Sequence, residues 1–340
     1  MEMFRDGLSK IYKRQDLTEA EMSLMIGEIF SGNLTDAQIG AFLGALSTKG
    51  ETIGELAGAA RAMRKKAIRI ETTGTDVVDT CGTGGDGAST FNISTTTAFV
   101  VAGCGVTVAK HGNRSVSSKC GSADLLEALG VKIDIDPEIV EEAIAEIKIG
   151  FMFAPRFHGA MKYAANARKQ IGLRSIFNML GPLTNPAAAN CQLLGVYAPE
   201  LTEMFASALK LLGGKRAMVV HGHDGLDEIS VCAPTRVSEL KDNWISTYDL
   251  QPETFFGRVA LPEEIGGGDP SANAEITMAV LSGEKSARRD VVSINSAAAL
   301  VTAGHAKTIK DGIFLAEKAL DTGAALEKLK SLVTFTRENG

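Results

Sequence analysis

From Asp76 onward, short β-rich runs alternate with helical stretches, and this alternation restricts the fold more than any other feature of the chain. VVDTC leads to a helix from about Ser94 and then to VTVAKHG, while CQLLGVYA leads to TEMFASALKLLG and then to AMVVHG. Two strands joined through a helix lie parallel, because an antiparallel return needs only a tight turn. Repetition of the unit predicts an α/β fold whose mostly parallel sheet is flanked by helices on both faces.

The preceding segment reads differently. Thr18 with Glu21, Thr35 with Gln38 and Thr52 with Glu55 each form a capping box, in which the hydroxyl and the residue three places on satisfy orphan amides at a helix start. Apolar residues follow at helical spacing: Met22, Met25, Ile26, Ile29 and Phe30, then Ile39, Phe42, Leu43 and Leu46. Residues 1–66 are expected to form a small N-terminal helical domain and 74–332 the larger α/β domain. YAANARKQIGLRSIFNMLGPLTNP, within 160–190, is expected to return to the helical domain. The GGGDP run at 266–270 reads as the clearest flexible connection.

Composition narrows the function. At 340 residues with 45% hydrophobic content the chain can bury a sizeable core. Its 35 basic and 41 acidic residues give a net charge of −6, opposite to the footprint of a nucleic-acid binder. No apolar run approaches the ~20 residues a membrane span needs. Five scattered cysteines without a C-x-x-C pair suit neither a zinc site nor a disulfide framework, and a reducing cytoplasm is the expected location.

The first β-run ends in Asp79-Thr80-Cys81-Gly82-Thr83-Gly84-Gly85-Asp86-Gly87 and enters a helix, where backbone amides and the helix dipole can hold a phosphate. Gly82, Gly84 and Gly87 also match G-x-G-x-x-G. A dinucleotide reading fails at the next strand, which ends in Lys110 and His111 where a ribose-binding acid belongs. Asp86 beside a phosphate charge at 4 Å would cost on the order of 4 kcal/mol at an effective dielectric near 20. It therefore faces ribose hydroxyls or a metal. No Lys-Ser or Lys-Thr pair follows, so a Walker loop is excluded.

Thr90, Asn92, Ser94 and Thr95, then Lys110, His111, Asn113, Arg114, Ser115, Ser117, Ser118, Lys119 and Ser122, concentrate donors near two strand ends, as a ligand with several phosphates requires. Any one hydroxyl is equally well read as a helix cap. After AMVVHG, Asp227 and Glu228 follow a glycine-containing turn, where adjacent carboxylates hold Mg²⁺ jointly with substrate oxygens and water. Asp224 reads as an ordinary turn residue.

DTCGTGGDG, FNIST, KHGNRSVSSKCGSADLLEALG and IFNMLGPLTNP together closely resemble the anthranilate phosphoribosyltransferase family, over nearly the whole chain. The resemblance implies a nucleoside-phosphorylase-like two-domain fold, a homodimer joined through its helical domains, Mg²⁺ as cofactor, and a reaction of tryptophan synthesis between anthranilate and phosphoribosyl pyrophosphate (PRPP). It further implies that Gly82, Gly85, Asp86, Thr90, Asn92, Ile93, Ser94, Thr95, Lys110, His111, Gly112, Asn113, Arg114, Ser115, Val116, Ser117, Ser118 and Ser122 contact PRPP. Ser94, Asp227 and Glu228 would bind Mg²⁺, while Gly82, Asn113 and Arg168 would face anthranilate. No general base is assigned. Gly159, Ala165-Asn166-Ala167 and Ser175 depart from the family pattern, the first two by lacking a usual proline. A pyrimidine nucleoside phosphorylase shares the fold and the glycine loop, but Asp227-Glu228 and IFNMLGPLTNP with Arg168 favour the transferase. A non-catalytic nucleic-acid-binding relative would need a basic surface.

Overall fold

The computed structural model describes residues 2–72, 76–115 and 119–340. Four helices open the chain, α1 (Glu2–Tyr12), α2 (Glu19–Ile29), α3 (Asp36–Lys49) and α4 (Ile53–Lys66). All three capping boxes form. Glu55 goes further than capping: fully buried, it accepts from the Thr52 and Leu17 amides at 2.8 and 2.9 Å and from Lys49 Nζ at 2.9 Å. Those bonds offset the cost of taking a carboxylate out of water.

The α/β part runs β1 (Val77–Gly82), α5 (Ile93–Gly103), β2 (Thr107–Gly112), α6 (Ser122–Ala128), α7 (Pro137–Ile147) and β3 (Ile149–Phe153). Next come α8 (Ala154–Phe157), α9 (Lys162–Ile171), α10 (Ile176–Leu180), β4 (Cys191–Gly195), α11 (Leu201–Leu211) and β5 (Arg216–Gly222). The chain closes with β6 (Thr235–Lys241), β7 (Trp244–Leu250), α12 (Glu253–Phe256), α13 (Pro270–Leu281), α14 (Ala287–Thr302), α15 (Ile309–Asp321) and α16 (Ala324–Asn339). One seven-stranded sheet has the order β3-β2-β1-β4-β5-β6-β7. Its first five strands are parallel and the last two pairings antiparallel.

Sequence periodicity missed β3 and the β6–β7 hairpin. Asp242 and Asn243 close that hairpin with φ of 50° and 62°, the twist a two-residue turn demands. The Asp-Asn pair was the available signal.

Alternation within single strands separates the two faces. Leu193, Met218 and Val220 join the core beneath α5 and α14, while Leu194, Ala217 and Val219 join the core containing α2, α4, α10 and α11. Ala164 and Ala167 of α9, and Phe177 and Leu180 of α10, lie in that same cluster with Met22 and Phe42. Arg61 and Arg64 of α4 donate to the Leu211 and Leu212 carbonyls, closing the exposed end of α11 at 3.0 and 3.2 Å. Arg64 also donates to Leu183 O at 2.7 Å, and burial lowers its pKa to about 10.

Two local expectations change. The 266–268 glycines are pinned, not loose: Thr90 bridges to Gly266, Gly267 N donates to Ser89 O at 3.0 Å, and Gly268 N donates to Asn273 Oδ1 at 2.7 Å. Glycine is needed at 267 because a Cβ would lie 2.4 Å from Phe91 N. In α9, where proline was missing, Asn166 donates from its amide to Asp36 at the start of α3. A side-chain tie to α3 thus stands where the family's usual proline is absent.

Candidate active site

In an open parallel sheet, ligands bind beyond the carboxyl ends of strands at the point where the order reverses. Here that point lies between β1 and β4, which are followed in sequence by β2 and β5 on opposite sides. The two strands end in register, Gly82 opposite Gly195. Neither tolerates a side chain, since a Cβ on Gly195 would sit 1.5 Å from the Asp227 carbonyl oxygen and one on Gly82 2.6 Å from Asp227 Oδ2. Absence of both lets the segment after β5 lie across the strand ends.

The glycine loop is tied down there. Thr83 N donates to Gly195 O at 2.9 Å, Tyr197 N donates to Thr83 Oγ1 at 3.1 Å, and Gly84 N donates to Asp227 Oδ2 at 2.9 Å. Gly84, Gly85 and Gly87 have φ of 67°, 76° and 74°, a region glycine enters without steric cost. Asp86 accepts from Ala88 N within the loop at 3.2 Å and from Asp227 N across the site at 3.5 Å.

Charge is unbalanced beneath this loop. Burial and then the neighbouring Asp86 raise Asp227 to about 7. Burial and then Asp227 push Glu228 well above the carboxylate range, with Lys110 acting in the opposite sense. Asp79 is fully buried and raised as well, although Lys110 and the Asn185 amide, 2.7 Å from Oδ2, hold it down. Lys110 is itself buried and its pKa lowered by that burial. Asp79 and Glu228 thus draw on the one buried lysine, while Asp227 faces Asp86 without it.

Lys110 Nζ donates to Thr80 O and lies 3.5 Å from Ser94 Oγ. It underlies the site rather than projecting from it. Ser94 stands in the first turn of α5, and its carbonyl accepts from Thr80 Oγ1 at 2.9 Å. Ile93 and Thr95 are buried, and Thr95 Oγ1 has no partner among the described residues. Asn92 links the loop before α6 to α13, donating to Cys120 O at 3.1 Å and accepting from Asn273 Nδ2 at 3.0 Å.

The β2 end folds onto α6. Asn113 O accepts from Ser122 Oγ at 3.2 Å, and Asp124 accepts from Ser115 N and Gly121 N at 3.1 and 2.9 Å. Gly112 has no room for a Cβ, which would meet Ser122 Oγ at 2.2 Å. Arg114 does not join the loop: its guanidinium pairs with Asp124 and Glu127 and covers Phe153. Val116, Ser117 and Ser118 lie outside the described residues.

His111 is turned inward. Its Nδ1 is 3.2 Å from Gly181 O, a group that only accepts, so Nδ1 carries the proton. Its Nε2 then accepts from His158 Nε2 at 3.2 Å, leaving His158 Nδ1 buried and unpartnered among the described residues. Burial and then His158 lower His111 to about 3, and burial lowers His158 to about 4. Sequence reasoning noted no role for His158, which is far from His111 along the chain.

Arg168 projects from α9 with its guanidinium 5.5 Å above the Phe177 ring and no ion pair to any described residue. Among the described residues no three His, Cys, Asp or Glu side chains converge to hold a metal ion by themselves. Mg²⁺ sites commonly recruit water and substrate phosphate oxygens instead.

A helical bundle joined to a mostly parallel sheet, with a glycine-rich loop meeting an acidic pair at the reversal point, is the architecture of a glycosyl transferase family. The model for the helical bundle domain of a glycosyl transferase family matches residues 5–67, and that for its a/b domain matches residues 74–326. Proteins named anthranilate phosphoribosyltransferase from Syntrophobacter fumaroxidans and Desulfosudis oleivorans are each 67% identical over 99% of this chain and 100% of their own lengths. The crystal structure of the Thermus thermophilus protein of that name superposes with a TM-score of 0.93 at 41% identity, covering 98% of this chain and 99% of that one. A Saccharomyces cerevisiae anthranilate phosphoribosyltransferase in complex with PRPP and Mg gives 0.90 at 28% identity, covering 98% of each. The chain belongs to the anthranilate phosphoribosyltransferase family.

Proposed function

We propose that the chain moves the 5-phosphoribosyl group of PRPP onto the amine of anthranilate, releasing pyrophosphate, as a step of tryptophan synthesis. The observation that carries this reading is the meeting of the glycine loop with the acidic pair, Gly84 N on Asp227 Oδ2, at the reversal point of the sheet. PRPP is assigned to Gly82, Gly85, Asp86, Thr90, the Asn92–Thr95 turn, the run Lys110–Ser118 and Ser122, with Lys110 and His111 supporting that run from beneath and Arg114 anchoring it to Asp124 and Glu127. The first-turn amides of α5 and the loop amides favour its phosphates.

Ser94, Asp227 and Glu228 are assigned to Mg²⁺. Hard oxygen donors and a surplus of buried negative charge suit that ion. When bound it supplies positive charge to the phosphate oxygens and the departing pyrophosphate. Arg168 offers its planar donor fork to the anthranilate carboxylate, with Gly82 and Asn113 beside it. An aromatic amine is neutral at working pH, and positioning accounts for most of the acceleration without a base. We further assign the chain to the cytoplasm as a homodimer joined through the helical part, where Met3, Tyr12, Leu24 and Ile53 are exposed.

Loss of anthranilate fluorescence on mixing with PRPP and Mg²⁺ tests the reading. Wild type turns over; Asp227→Asn/Glu228→Gln loses about a hundredfold or more in kcat/KM, and Arg168→Ala weakens mainly the anthranilate KM. No turnover by folded wild type refutes the reaction.

A further inference from the structure

We propose that Arg174 is a positioning residue that straps the glycine-rich loop to the α9–α10 segment, and thereby sets the affinity for PRPP. Its guanidinium donates to the Gly85 carbonyl and lies 4.3 Å from the centre of the Tyr197 ring. Gly85 has φ of 76°, and a Cβ there would lie 2.8 Å from Arg174 Nη2, so loop and arginine are in direct contact.

Tyr197 completes the strap. Its backbone N donates to Thr83 Oγ1 at 3.1 Å, two residues before Gly85 in the same loop. The loop is thus held at Thr83 by the Tyr197 backbone and at Gly85 by the arginine that rests on the Tyr197 ring. Arg174 follows α9, which carries Arg168, by only three residues, with Gly172 at φ 63° between. The strap therefore joins the PRPP loop to the helix that faces the aromatic acid.

Exposure separates this role from a merely structural one. Arg174 is exposed and has no carboxylate partner among the described residues, so its contacts contribute little to global stability. An unstrapped loop, by contrast, must be ordered when ligand binds, and that cost falls on affinity. An exposed guanidinium–aromatic contact is worth ~0.5–1 kcal/mol and a charged hydrogen bond somewhat more. Together they correspond to about a tenfold change in binding.

The inference rests on the assignment of PRPP to the glycine loop. PRPP binding in the presence of Mg²⁺ is measured by calorimetry, alongside steady-state kinetics and thermal melts. Arg174→Ala raises Kd and KM for PRPP about tenfold, with kcat within about twofold and Tm within about 2 °C of wild type. Tyr197→Phe, which keeps the ring under Arg174 but loses the hydroxyl's interaction with it, falls between wild type and Arg174→Ala, Tyr197→Leu matches Arg174→Ala, and the double variant is no worse than Arg174→Ala alone. Arg174→Lys, which keeps the charge but not the planar stack, recovers at most part of the affinity. Unchanged PRPP affinity in Arg174→Ala, or additive losses in the double variant, overturns the strap. Failure of wild type itself to bind PRPP refutes the loop assignment instead.

Discussion

The His111–His158 pair makes a quantitative prediction about acid stability. Both imidazoles are buried, His111 held to about 3 and His158 to about 4 against an ordinary value near 6.5. The folded protein keeps them neutral, whereas the unfolded chain takes up protons below about pH 6.5. The unfolded state therefore binds more protons, and stability is complete above about pH 6.5 and is lost as pH falls toward 4 and then 3. At about pH 5 the gap is roughly 1.5 units for each ring, or about 2 kcal/mol each and about 4 kcal/mol for the pair relative to about pH 8.

Burial of the raised carboxylates Asp79, Asp227 and Glu228 works in the opposite direction, so the pair must be isolated by difference. Urea unfolding of wild type and of His111→Asn/His158→Asn, each at about pH 5 and about pH 8, supplies it. The double variant should lose about 4 kcal/mol less than wild type on acidification, whatever its absolute stability. Equal pH dependence in the two proteins would refute the neutral, inward-facing pair.

Two further outcomes follow from packing. Gly195→Ala places a methyl 1.5 Å from the Asp227 carbonyl oxygen and should cost more than about 2 kcal/mol in thermal unfolding, whereas Gly84→Ala, at positive φ with open space, should cost only about 1 kcal/mol; comparable losses would show that the β4–Asp227 contact is looser than described. None of the five cysteines is in a disulfide, and burial raises Cys104, Cys120 and Cys232 to about 11. Labelling of these thiols near neutral pH should run about a hundredfold slower in the native protein than after denaturation, and rapid stoichiometric labelling of folded protein would contradict it.

Elements whose signal is local were legible in the amino-acid sequence. Thr18, Thr35 and Thr52 with their partners three residues on form their boxes because both halves lie within one helical turn. β1, β2, β4 and β5 are buried on both faces and each carries a short apolar stretch, such as Val77-Val78 in β1 and Ala217-Met218-Val219-Val220 in β5. β6 and β7 escaped notice because β7 is an edge strand with mostly polar, solvent-facing residues. The glycine loop and the acidic pair were visible as motifs. Their contact was not, since Gly195 looks like any other strand-end glycine until the Asp227 backbone is laid against it.

Tertiary structure alone decided how charge is shared. Lys110 and Arg114 look alike in the sequence as phosphate-facing cations, yet one is buried among Asp79 and Glu228 and the other is paired outward with Asp124 and Glu127. It likewise decided that His111 meets His158 and that Arg174 reaches Gly85. The reason is physical: capping, turn chemistry and strand burial depend on neighbours within a few residues, whereas pKa, pairing and clearance depend on groups brought together from distant parts of the chain.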